Sequence, residues 1–226
     1  MIDTWIGILT KPEETMAAEK ANANIVGGLI NVVIASVIVA IIAGVIMAII
    51  TAISSLIPGL GNIAGALGVI AIIVVPIGIV ITCVIGSLLL NLFFWGAAKI
   101  LGGNGSFGTQ YYLLSLIAVP MVVISIVAMI IGVVLAIIPF IGIIIGMLLM
   151  YLISGYISII LMAAYIAAIK EAHGFATMNV ALTTGIGYVI TLIVMMVLGL
   201  IFAASVFTAL GGASMMDPST MFAGLV

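Results

Sequence analysis

Few side chains in this sequence could do chemistry, and they stand far apart. His173 is the single histidine, with Glu171 two residues before it, a pairing that suits a pH-sensitive contact. As a metal site it falls short, because one histidine and scattered carboxylates do not make a ligand set. As a hydrolase centre it has no nucleophile beside it. Its expected role is a structural hydrogen bond. Asp3 and Asp217 are the only aspartates and lie outside the apolar runs, which does not match the paired membrane aspartates of intramembrane proteolysis. Gly102-Gly103-Asn104-Gly105 has no lysine after its glycines and no strand before them, so it reads as a tight turn and not a phosphate loop. Cys83, the lone cysteine, sits inside an apolar run and is expected to be a buried small hydrophobe. Asn31 and Asn91 are the most polar groups within or near the ends of the apolar runs, and each needs a hydrogen-bond partner in lipid. The chain is read as non-enzymatic, with no catalytic residue, cofactor or metal.

The elements that carry these residues belong to a membrane protein. With 67% hydrophobic and 4% charged residues, no water-facing surface can be built. The apolar runs are continuous where a β-barrel would alternate. A net charge of −2 leaves no electrostatic footprint for nucleic acid. The expected fold is all-α, a polytopic five-transmembrane-helix bundle with a short N-terminal interfacial helix. Residues 1–24 form the N-terminal segment. In it Trp5, Ile6, Ile8 and Leu9 make an apolar patch, then Thr10 caps a helix with Glu13 reaching back and Pro12 in the first turn. The transmembrane domain covers 25–210, with spans at about 25–50, 69–98, 111–137, 140–169 and 176–210. Residues 51–68 are expected to be interfacial or re-entrant, and 211–226 a flexible tail. Pro76 and Pro120 should kink their spans, and the island Lys99–Tyr112 should be a turn.

Small residues recur at helical spacing: Ser36, Ala40, Gly44 and Ala48 in the first span, then Ala128, Gly132 and Ala136 in the third, and Gly142 and Gly146 in the fourth. Such stripes let helices approach closely, so these residues are candidate helix-packing positions. The four lysines, Lys11, Lys20, Lys99 and Lys170, all fall on one side when five spans are counted. The positive-inside bias makes that side cytoplasmic, with the N-terminus inside, the C-terminus outside and the cell membrane as location.

Three motifs in order carry a resemblance. Leu9, Pro12 and Met16 precede the first span; Leu101, Gly102, Gly103, Ser106 and Phe107 open the third, with Tyr112, Ser115 and Pro120 next; Lys170, Glu171, His173, Gly174 and Phe175 close the fourth, toward Asn179 and Ala181. The pattern resembles the YIP-domain family of Ypt/Rab-interacting membrane proteins, in its compact prokaryotic branch. That resemblance implies five spans with the N-terminus inside, and in eukaryotes a part in vesicle trafficking through Rab GTPases and sister proteins. This chain lacks the long N-terminal extension and the Asp-Leu-Tyr/Trp-Gly-Pro type of motif found there, which counts against Rab-type GTPase binding. The expected function is a membrane scaffold or organisation factor acting through helix–helix and protein–protein contacts, with membrane lipid and a second copy or another membrane protein as partners. Phe107, Tyr111 and His173 are expected to present its cytoplasmic contact surface. The alternative is a passive carrier or channel for a neutral small molecule or lipid.

Overall fold

The computed structural model describes residues 1–55, 61–136 and 141–209. They form α1 (Ile2–Thr10), α2 (Pro12–Glu19), a 3-10 turn (Lys20–Asn22), α3 (Ile25–Ser55), α4 (Gly61–Ile100), α5 (Phe107–Ser115), α6 (Ala118–Ala136), α7 (Ile141–His173) and α8 (Thr177–Ala209). Five stretches are long and apolar enough to cross a bilayer: Ile25–Ser54, Ile72–Ile100, Phe107–Ile131, Tyr151–His173 and Thr177–Leu200. Ile41, Ile73, Ile81, Leu152, Ile159 and Leu192 on these spans point outward, as they do when lipid tails are the solvent. The chain is an all-α integral membrane protein.

Helices α3 and α4 pack along each other more extensively than any other pair, and α4 also packs on α8, α3 on α5 and α6, and α7 on α6. Residues 51–55 and 61–68 are helical and continue α3 and α4. Thr51 still lies against Gly68 at that end of the pair. An apolar segment in lipid must satisfy its backbone within itself, and helical continuation does so. Helix α4 runs on through Pro76, whose ring faces Gly44 of α3. Cys83 is exposed on α4, contrary to the expected burial, because that span is not enclosed by the rest of the chain. The tail 211–226 and the reversal at Pro139 lie outside the described residues.

The third span differs from its expected form in two ways. Helix starts at Phe107, inside the island, because Ser106 caps it: the Thr109 amide donates to Ser106 Oγ at 3.0 Å. It then breaks at Leu116 and Ile117, between α5 and α6. Pro120 has no N–H to give the Leu116 carbonyl, and the Ile117 amide turns to the Leu114 carbonyl at 3.2 Å.

The N-terminal segment is two helices, not one. Thr10 ends α1, its hydroxyl donating to the Ile6 carbonyl at 3.0 Å, so it does not cap α2. Helix α2 begins at Pro12 after a turn at Lys11, and no side chain caps it. Ile8 and Met16 are both fully buried, in a cluster with Leu113, Leu116 and the alanines Ala164, Ala167, Ala168 and Ala172 of α7. Those alanines recur at i, i+3, i+4 and i+8, one smooth helix face on which the two short helices dock.

Candidate functional site

Every charged side chain among the described residues stands at the end of the bundle where α1 and α2 dock and where α4 and α7 finish. Both long helices finish there on a glycine. Gly102 takes φ +84°, the Gly103 amide donates to the Ala98 carbonyl at 2.9 Å, and the Gly102 amide donates to the Lys99 carbonyl at 3.1 Å. This is a Schellman cap, and it needs a residue free to adopt the left-handed conformation. Gly174 repeats the solution after α7 with φ +68°, its amide and that of Phe175 both donating to the Lys170 carbonyl.

His173 joins the two caps. It is 4% exposed. Its Nδ1 accepts from the Gly105 amide at 3.2 Å, so Nε2 carries the proton and donates to Gln110 Oε1 at 2.7 Å. Gln110, fully buried, passes the chain on by donating Nε2 to the Asn91 carbonyl at 3.1 Å. The His173 ring stacks on Phe175 at 5.4 Å, and Trp95 Nε1 donates to the Gly105 carbonyl at 3.2 Å. One imidazole thereby ties α7, the 101–106 turn, α5 and α4 together in its neutral form. With both ring nitrogens engaged and the ring buried, it is placed as a strut.

A second feature lies beside this junction. Glu19 accepts from the Thr4 hydroxyl at 3.0 Å and from the Tyr112 hydroxyl at 2.7 Å, binding α1, α2 and α5 together. Lys170 meets Glu13 at 3.3 Å and Lys20 meets Glu171 at 3.9 Å, both partly exposed pairs that add at most about 1 kcal/mol each. Between α1, the 3-10 turn, α3 and α5 remains a cleft of about 320 Å³, lined by Thr4, Trp5, Glu19, Asn31, Tyr112 and Leu116 among others. Asn31 donates Nδ2 to Ser115 Oγ at 3.4 Å, while its buried Oδ1 has no partner; Trp5 Nε1 is likewise buried and unpaired.

The candidate packing residues fall on two helix pairs. Ala40, Gly44 and Ala48 line a lateral groove of about 500 Å³ between α3 and α4, opposite Ile72, Pro76, Ile77 and Val80. Ser36, one turn nearer the charged end, is buried and bonds its own helix at the Val33 carbonyl. Ala128 is buried and lines a smaller cleft between α6 and α7, facing Ser154 and Ser158. Gly146 is buried within α7; Gly132, Ala136 and Gly142 lie in α6 and α7 with side-chain surroundings outside the described residues.

Among the residues that carry the sequence resemblance, Pro12 opens α2, Gly102 and Gly103 form the α4 cap, Ser106 caps α5, and Lys170 pairs with Glu13. Pro120 breaks the third span and packs beside Trp5, Ile6 and Leu9 of α1. The expected contact surface is not there. Tyr111 is fully buried with its hydroxyl 3.0 Å from Ser87 Oγ, His173 is the internal strut, and Phe107 is half-buried against Tyr111 and Trp95. Polar side chains in so apolar a chain suggest outward contacts, yet His173 turns inward to accept from the Gly105 amide of the turn and Tyr111 to meet Ser87. Sequence reasoning misses Gln110, Glu19 and the alanine face of α7, although the alanine spacing is visible there.

Comparison with known proteins returns no match: no family model, no curated protein and no solved structure aligns with the chain.

Proposed function

We propose that the protein is a non-enzymatic membrane scaffold that associates with a second copy of itself or with another membrane protein through helix–helix contacts. The observation that carries this reading is the lateral groove between α3 and α4, floored by Ala40, Gly44 and Ala48 and open to the lipid. Small residues bring a docked helix close enough for dispersion and weak hydrogen bonds to act, which is what drives association where lipid tails are as apolar as leucine. The polar side chains of the spans fit the same reading. Ser87, Ser125, Ser158, Thr184 and Thr191 each bond a carbonyl of their own helix three or four residues back. The charged groups hold the N-terminal helices in place.

Membership of the compact prokaryotic branch of the YIP-domain family belongs to this proposal and rests on the order of the three motifs. So does the orientation with the charged end in the cytoplasm, which rests on the lysines Lys11, Lys20, Lys99 and Lys170 sharing that end. The same groove is about 500 Å³ and lined by apolar side chains, which favours a lipid carrier as the second reading. Flux through proteoliposomes separates the two. The scaffold should pass glycerol and flip labelled lipid no faster than protein-free vesicles do, and protein-dependent flux that saturates would overturn it.

A further inference from the structure

The cleft beneath α1 has a built interior in which the packing of the fold leaves polar groups without partners. Its polar lining combines three features. Glu19 is a carboxylate with two hydroxyl donors and no ion pair among the described residues. Asn31, 2% exposed, offers an oxygen with no donor. Trp5 offers a buried indole N–H with no acceptor. Ile30 and Leu116 give the lining its apolar part, and Ile30 belongs to the first candidate span. No lysine among the described residues lines the cleft.

Position narrows the choice of occupant. The first candidate span starts at Ile25, so Asn22, Asn24 and Gly27 at the cleft edge stand at the boundary where lipid headgroups lie. Charge narrows it further. A carboxylate and an amide oxygen call for N–H or O–H donors carrying positive charge, and they repel a bare anion. A quaternary ammonium has no hydrogen to give them, whereas a primary ammonium has three. The Trp5 N–H in turn suits the phosphate or ester oxygen next along the same molecule. We infer that this cleft binds the headgroup of a zwitterionic phospholipid bearing a primary ammonium, with the ammonium between Glu19 and Asn31 and the acyl chains leaving past Ile30 and Leu116. The inference needs only the membrane placement of the chain and stands apart from the scaffold reading.

The test uses native mass spectrometry of the full chain, offered phosphatidylethanolamine, phosphatidylcholine or phosphatidylglycerol of matched acyl chains. Phosphatidylethanolamine should be retained about tenfold more strongly than phosphatidylcholine, as expected for a charge-assisted hydrogen bond present in one and absent in the other. Glu19→Gln should bring the two to similar retention. Trp5→Phe, which keeps the ring and removes the N–H, should weaken phosphatidylethanolamine by a few-fold, and it serves as the readout if Glu19→Gln does not fold. Equal retention of all three lipids, or a preference for phosphatidylglycerol, would overturn the assignment. So would displacement of the lipid by soluble phosphoethanolamine at equal concentration, which would show that the acyl chains contribute nothing.

Discussion

At the scale of single residues, the charged end depends on a few positions with no substitute. Gly102 sits at φ +84° with open space where a Cβ would be, so alanine there is penalised only by its backbone conformation. Gly102→Ala should lower stability by about 1 kcal/mol, with asparagine less costly, read from unfolding in detergent. Gly105→Ala differs in kind, because its Cβ would run into the Ala172 carbonyl. Gln110→Leu keeps the volume but leaves the buried His173 Nε2–H without its acceptor, at about 1–3 kcal/mol. A matching change of His173 should then cost less than it does alone, the signature of two residues in one network. The turn around Gly102 was legible in the sequence, since glycines after a long apolar helix have few other uses. The partner of His173 was not. Gln110 stands 63 residues away, and nothing local in either segment says that they meet.

At the scale of elements, the long apolar runs announced the spans, and five of them are present. Their ends were less legible, for reasons that differ. Thr10, Pro12 and Glu13 have the spacing of a capping box, but a preceding helix claims the Thr10 hydroxyl. The glycines and serines of 51–68 look like a break, yet residues 51–55 and 61–68 are helical, since an apolar chain in lipid has no cheaper state. The N-terminal helices are a further case, where composition suggested a surface helix and packing made it part of the core. Ile8 and Met16 fill hollows left by the alanines of α7. Met16→Ala should therefore cost about 2–3 kcal/mol and free residues 1–24 for limited proteolysis while the spans remain protected. If the segment stayed as resistant as in the parent protein, its docking would owe nothing to Met16.

At the scale of the whole molecule, the charged and the apolar parts have separate tasks. The charged end is closed by two glycine caps, the His173 strut and the docked N-terminal helices, while the spans turn apolar side chains and a lateral groove toward the lipid. Asn104 is exposed in the 101–106 turn. A cysteine placed there, with Cys83 changed to serine, should react with an impermeant thiol reagent only when the cytoplasmic face is opened; reaction in intact cells would reverse the orientation. Labelled with donor and acceptor dyes, the same variant measures association in liposomes as the lipid-to-protein ratio rises. Self-association through the groove predicts energy transfer that persists on dilution and is lost in Ala48→Leu, which fills the groove from an exposed position. Transfer that falls to the random-collision level on dilution, or that is unchanged by Ala48→Leu, would contradict it.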